Sequence, residues 1–434
     1  MAPKVEIIES CMVAPCEETP KHRLQLSNLD AFAPRDHMPT FFLYKPNNGD
    51  PNFFSVQILK KALSKVLVTF YPLAGELVFD EDGRPVVDCN TKGVLFSAAS
   101  TSCTLDGFGD FRPSSTLDRL FIPSVTNPKR SCILLLFQLT FFKCGGVCLG
   151  CASHHSVIDG VTLFNFINTW SDIARGSNMI ISAPPFLDCT VLRARSPPIV
   201  SFDHIEYTNC NFLEDKFGQE CETTILTLSK AQLNTLKHGS HGERNLSTYK
   251  AVAVHLWSTA CKARELADGQ ETRLYMWANA RNRLKPPLSK GYLGNAVLKI
   301  STQLQVGDLV SKPFEFGIAK IDETINSVND EYIRSLVDLW EKHKGEKEKI
   351  KGSRSYRTVD FLVVSWLSLP TYEADFGWGK PWFMGKASMK YAGQAYVMRG
   401  GPGNNGGVSI AIALESENMP RFKKMVHMPL EAKI

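Results

Sequence analysis

Val147-Cys148-Leu149-Gly150-Cys151-Ala152-Ser153-His154-His155-Ser156-Val157-Ile158-Asp159-Gly160 is the stretch on which the fold and the chemistry both turn. Its first half is apolar and small, as in a strand buried on both faces. Upstream, Ile133 to Phe142 is a second apolar run, and Gly145-Gly146 allows a tight turn between the two. Downstream, Val161, Phe164, Ile167, Trp170, Ile173 and Ala174 recur at helical spacing, and Gly176 closes the helix. The unit is therefore strand, turn, strand, helix. His155 ends the second strand, and Asp159-Gly160 begins the helix. Catalytic groups favour such a place, because the strand fixes the side chain while the loop exposes it.

Further out, Val56, Leu59, Leu63, Val66 and Leu67 predict a helix over 53–67, stopped at Pro72. Asp80 to Arg84 predicts a hairpin turn, and Ser247 or Thr248 caps a helix to about Arg264. Residues 341–351 are a charge run, read as a solvated loop or helix end. Gly400 to Gly407 is a glycine-rich hairpin. The chain has 434 residues, enough for two or three domains at ~150 residues each. The proline-bounded segment 184–198 is the best interdomain linker.

Composition removes several classes. Hydrophobic residues at 44% and charged residues at 21% exclude a disordered or fibrous chain. A net charge of +5 over this length is too weak to argue for nucleic acid, though it permits a local pocket for an anionic cofactor. The start lacks an apolar leader, and no run is long enough to span a membrane, so no membrane insertion is expected. Of the 12 cysteines, Cys144, Cys148 and Cys151 lie close together but read as strand residues around a turn, and all read as reduced, mostly buried thiols of a cytoplasmic protein.

Three readings of His155 to Asp159 compete on local pattern. His155 is a general base with Asp159 bracing it; or Cys151, His154, His155 and Asp159 bind a metal; or the pair is structural, sharing a local hydrogen bond. A serine hydrolase lacks its G-x-S-x-G elbow, no G-x-G-x-x-G opens a helix after a strand, and no G-x-x-x-x-G-K-[ST] is present. Asp375-Phe376-Gly377 matches the kinase D-F-G, but without a kinase glycine loop or H-R-D the match is accidental. In Asn279-Ala280-Arg281-Asn282-Arg283, one arginine suits a buried carboxylate and another a phosphate, and a basic surface turn is the plain alternative.

Taken together, H-x-x-x-D-G at 155–160, Tyr292-Leu293-Gly294-Asn295 and Asp375-Phe376-Gly377-Trp378-Gly379 occur in an order that resembles the plant BAHD acyltransferases. The start of the chain, with Leu26-Ser27-Asn28-Leu29-Asp30, is similar to the hydroxycinnamoyl-CoA:shikimate/quinate branch, as are Phe70 to Gly75 and Phe166 to Gly176. The resemblance implies an α/β (α+β) fold of two chloramphenicol-acetyltransferase-like domains, each a mixed sheet flanked by helices, joined by a crossover loop. It places an N-terminal lobe at 1–183 with about 362–385 added, a crossover linker at 184–210 and a C-terminal lobe at 211–434. It implies acyl-CoA as co-substrate with no permanently bound cofactor or metal, a small-molecule acceptor and a monomer.

Carried over, His155 is the general base in a ternary complex, Asp159 pairs with Arg281, and Gly160 leaves room at a channel. Asp375, Gly377 and Gly379 hold a loop behind the site. The Trp378 indole N–H is the candidate oxyanion donor, and Ser247 and Arg283 are the candidate CoA contacts. His37, Thr40, Phe42 and Ser368 fall in the acceptor pocket. Here the sequence departs from the branch. Where its relatives place a carboxylate-gripping arginine, this chain has Ser368, and Phe42 and Met38 replace hydroxyl-bearing residues. Serine cannot make a bidentate clamp, so the expected acceptor is not shikimate or quinate. It is an alcohol, an amine or a hydroxy acid, taking an aromatic acyl group of hydroxycinnamoyl or benzoyl type; the alternatives are shikimate, quinate or another hydroxy acid on a different carboxylate anchor, or a non-catalytic relative that binds a ligand.

Overall fold

The two apolar runs become the centre of a sheet. Leu135–Phe142 and Val147–His154 pair antiparallel and are buried along nearly their whole length. A computed structural model describes residues 4–47, 49–81, 84–123, 132–176, 183–208, 221–237, 246–344, 357–389, 391–402, 404 and 406–427. Within them lie two six-stranded sheets and a small four-stranded one.

The first sheet runs in the order Val5–Val13, Val94–Thr101, Leu135–Phe142, Val147–His154, His37–Tyr44, Phe383–Lys386. Only the pairing of Val94–Thr101 with Leu135–Phe142 is parallel, so the sheet is mixed. Helices Val56–Thr69 and Gly160–Ala174 cover one face. Trp170 locks them together: its ring is fully buried against Phe96, Phe137 and Phe376, and its indole N–H donates to the Leu59 carbonyl at 3.0 Å. A buried indole needs such a partner. The predicted helix over 53–67 starts at Val56, where Ser55 caps it, and a 3-10 turn over Tyr71–Ala74 follows.

The second sheet runs in the order Cys221–Leu228, Val408–Glu415, Gln394–Arg399, Phe361–Ser365, Glu271–Asn279, Val297–Gln305. Phe361–Ser365 is parallel to both its neighbours. Helix Thr248–Ala263 lies on this sheet, with Trp257 buried and bonded to Thr272 Oγ1 at 3.0 Å. The glycine-rich stretch joins Gln394–Arg399 to Val408–Glu415, which pair antiparallel, and at its described ends the Gly400 N–H donates to the Gly407 carbonyl at 3.0 Å.

The chain passes from the first lobe to the second near 184–208, returns after Ser365 and passes back after Lys386. The crossing expected at about 362–385 begins later, because the apolar strand Phe361–Ser365 is held inside the second sheet. What reaches the first lobe is the stretch after Ser365, ending in Phe383–Lys386. The segment near 184–208 is also less plain than its sequence. Phe186 exchanges backbone hydrogen bonds with Gly291 and Leu293, and Arg195 is tied to Asp338 and Glu331. The charge run lies outside the described residues beyond Lys344. Ten cysteines among the described residues are free thiols, and among the described residues no helix is long and apolar enough to cross a membrane.

Gly150 shows how closely the first lobe is packed. A Cβ built there would sit 1.8 Å from the Phe121 carbonyl oxygen. Backbone cannot yield as a side-chain tip can, so Gly150→Ala should destabilise by at least the ~1–3 kcal/mol typical of overpacking. Urea denaturation checks this, and an unchanged midpoint would refute the packing of Ser115–Phe121 on the strand.

Candidate active site

His155 leaves the end of its strand with its backbone already committed. Its N–H donates to the Asp36 carbonyl at 3.0 Å, and its own carbonyl accepts from Asn295 Nδ2 at 2.7 Å. Asn295 is in turn fixed by Asp30, whose Oδ1 accepts from the Asn295 backbone N–H at 2.6 Å and from Nδ2 at 2.8 Å. Asp30 is fully buried in the capping box of helix Asn28–Phe32. Burial raises its pKa to about 6, against the hydrogen bonds from Ser27 and Asn295. Leu-Ser-Asn-Leu-Asp and Tyr-Leu-Gly-Asn, far apart in sequence, thus meet to set the base of the histidine loop.

Asp159 does two things at once. It is the N-cap of Gly160–Ala174, accepting from the Thr162 N–H at 3.0 Å. It also receives the Arg281 guanidinium at 2.7 and 3.1 Å and the Ala296 N–H at 3.1 Å. Both ionic partners are buried. Burial alone would raise the carboxyl's pKa, but the adjacent guanidinium and the N–H donors hold it below the ordinary 3.8. No hydrogen bond joins Asp159 to His155, so the local His–Asp pair is not formed. Among the described residues no three His, Cys, Asp or Glu side chains gather as metal ligands would.

A cavity of about 310 Å³ opens between the two sheets, with His155, Asp159 and Gly160 in its wall. His37, Thr40 and Ser368 line it as well, and so do Phe164, Trp277, Trp366 and Tyr396. His155 also borders a second, much smaller space beside Phe32, Tyr207 and Asn295. Burial holds the imidazole below its ordinary pKa of 6.5. Lys386 pushes the same way, whereas its own carbonyl, Asp159 and Asn295 oppose. The ring is therefore neutral at pH 7, with a lone pair to offer.

Three assignments from the sequence are corrected. The Trp378 indole N–H donates to Asp50 at 2.8 Å, and its ring packs on Phe53 and Phe54, away from the cavity wall. It is not an oxyanion donor. The D-F-G-W-G stretch is a clamp on the first lobe: Asp375 accepts from the Gly377 and Gly379 N–H groups, and Phe376 is buried against Trp170. Arg283 donates to the Ile325 and Val328 carbonyls at the end of helix Phe314–Ser327, which removes it as a CoA contact. Phe42 lies one layer behind the wall, edge-on to Phe164. Ser247 is exposed at the start of Thr248–Ala263 and caps no backbone N–H with its hydroxyl.

Lys386, Trp366 and Tyr396 were missed as site residues. Lys386 gave no signal, because a lysine ending a short strand reads as solvent-facing. Trp366, two residues before Ser368, was the nearest available pointer.

The family model described as Transferase family matches residues 3–428. Putrescine hydroxycinnamoyltransferase 1 of Oryza sativa subsp. japonica is 44% identical, over 98% of this chain and 99% of that protein. Shikimate O-hydroxycinnamoyltransferase of Nicotiana tabacum is 41% identical, over 98% and 99%. Among solved structures, F. graminearum TRI101 complexed with coenzyme A and T-2 mycotoxin superposes with a TM-score of 0.78 at 16% identity, covering 93% of this chain and 97% of that one. That likeness concerns the fold.

Arg281→Ala leaves the Asp159 carboxylate buried without its cation. It should destabilise the protein at pH 7 by about 3–5 kcal/mol, the usual result of removing one partner of a buried pair. A lowered melting temperature checks this. Because Asp159's pKa is depressed on folding, its stabilisation is present above about pH 4 and fades as pH falls through the lower folded value, so the deficit of the variant should shrink in acid.

Proposed function

The chain belongs to the BAHD family of acyltransferases, and from that premise we propose that it moves a hydroxycinnamoyl- or benzoyl-type group from coenzyme A to an amine or alcohol, with His155 as general base. The observation that carries this reading is the place of His155. Its imidazole is neutral, its loop is fixed from both lobes, and it faces a cavity large enough for two reacting groups.

The chemistry follows from a ternary complex without an acyl-enzyme. The neutral imidazole takes the proton from the acceptor nitrogen or oxygen as that atom attacks the thioester carbonyl. The tetrahedral intermediate collapses with loss of the CoA thiolate, and the imidazolium returns its proton to sulfur. Holding both substrates in one cavity replaces a bimolecular encounter by an oriented one. Asp159 and Arg281 brace the histidine loop through its backbone, and the Asp159 carboxylate also acts on the imidazole through space, against the fall of its pKa. Ser247, exposed at a helix N-terminus, is the remaining candidate for the CoA phosphates.

For the acceptor, the wall carries the rings of Phe164, Trp277, Trp366 and Tyr396, and serine stands at position 368. This supports an acceptor other than shikimate or quinate. Installing the clamp by Ser368→Arg should raise shikimate turnover relative to the unmodified protein, and no gain would count against the acceptor reading.

The transfer itself is tested by incubating the protein with p-coumaroyl-CoA and a panel of amines, alcohols and hydroxy acids while free thiol is followed. His155→Ala should lower kcat/KM by ~10²–10⁴-fold. Thiol release that survives this substitution undiminished would remove His155 as the base. The pH profile gives a second check. A base is competent above its pKa, and that of His155 is depressed, so the acid limb of kcat/KM should fall below pH 6.5.

A further inference from the structure

We propose that Asn295 is a positioning residue of the transfer: its side-chain oxygen receives the Nδ1–H of His155, which leaves the Nε2 lone pair as the base, and Asp30 fixes the amide in the orientation that allows this. The proposal rests on His155 as the general base and adds what selects the tautomer of its ring.

A neutral imidazole carries its proton on one nitrogen and a lone pair on the other, and only a lone pair that faces the substrates can act as base. His155 borders both the large cavity and the smaller space behind it. Its Nδ1 is shut off from solvent without a hydrogen-bond partner, which leaves Nε2 to the large cavity. Besides His155, the wall of the smaller space offers Asn295 and the Tyr207 hydroxyl among side chains that are otherwise aliphatic or aromatic. The Tyr207 oxygen already accepts from the Lys299 backbone N–H at 2.6 Å.

The Asn295 amide can stand only one way. Its Nδ2 donates to Asp30 Oδ1 at 2.8 Å and to the His155 carbonyl at 2.7 Å, so reversing it would set an oxygen against two acceptors. Asp30 is itself held. Its Oδ2 accepts from the Ser27 N–H at 2.9 Å and hydroxyl at 2.6 Å, and its Oδ1 also accepts from the Asn295 N–H at 2.6 Å. Asn295 Oδ1 is thereby left buried and without a donor. A buried acceptor and a buried ring nitrogen, each lacking a partner, are costly apart and stabilising together. The Asn295 amide and the His155 carbonyl both act to raise the pKa of the imidazole, as acceptors beside a ring N–H do. Catalytic hydrogen bonds are often long before substrate arrives and tighten in the complex, so this contact closes as the cavity fills. With the proton on Nε2 instead, the Nδ1 lone pair would face two acceptors, and an N–H would point at the substrates.

The experiment reads the tautomer by nitrogen NMR of the full chain with ring-labelled histidine, at pH 8, where the imidazole is neutral. The His155 signals are those lost in His155→Gln. In the wild type Nδ1 should carry the proton and Nε2 should not, and the reverse would overturn the proposal without reference to any other variant. In Asn295→Ala the equilibrium should move towards Nε2–H, and kcat should fall about 10-fold, the scale of one hydrogen bond, with KM for p-coumaroyl-CoA unchanged. Asn295→Ser, which keeps a polar group but withdraws the amide oxygen, should behave alike and serves if the alanine variant does not fold. Asp30→Asn can still present an oxygen to the Asn295 amide, so it should keep the wild-type tautomer. A fall in kcat in the Asn295 variants with the tautomer unmoved would leave Asn295 only its hold on the loop, and the proposal would fail. If the wild type releases no thiol with any acceptor, the transfer reading fails by itself, and the nitrogen signals still decide whether Asn295 sets the tautomer.

Discussion

The contact between Asp159 and Arg281 organises the centre of this molecule. One carboxylate starts the helix Gly160–Ala174 of the first lobe and at the same time receives a guanidinium and the Ala296 N–H from the second. A buried ion pair gains little over a well-packed apolar pair in stability alone. What this one supplies is position. It fixes the turn after His155 relative to both sheets, so the cavity wall and the histidine are set by a single node.

The same logic extends through Asn295. Its amide joins the buried carboxylate of Asp30 to the carbonyl of His155, so the N-terminal capping box supports the histidine loop from below. Around this polar scaffold the cavity is mostly aromatic and aliphatic, and it contains one lysine. Low polarity acts directly on the charges in the wall. It keeps the imidazole uncharged, and it strengthens the pull between a fixed charge and an incoming ion. Charges near the histidine are accordingly few, and each acts strongly.

Much of this was legible along the chain. The strand–turn–strand–helix unit around residues 133–174 follows from apolar periodicity, two glycines and a capping aspartate, all of them local signals. The order of the H-x-x-x-D-G and D-F-G-W-G stretches pointed to the family over the full length. The misreadings have a shared cause. Trp378, Arg283 and Phe42 each carry chemistry suited to a site, but what a side chain touches depends on residues far away: Asp50, the end of the helix Phe314–Ser327, and Phe164. The sheet boundary near 361 was misjudged similarly, because parallel pairing with distant strands leaves little mark on a five-residue apolar run.

The sequence by itself determined the local elements, the family and the presence of a histidine at the mouth of a strand, because those depend on neighbours within a few turns of chain. Only the tertiary structure decided which charges surround that histidine. Arg281 lies 122 residues from its carboxylate, and Asn295 lies 140 from the carbonyl it holds. Lys386 belongs to a strand that crosses into the other lobe to stand beside Thr40. Desolvation and Coulomb interaction act through space, so the basicity of the imidazole and the sign of the pocket could not be read until the chain was folded.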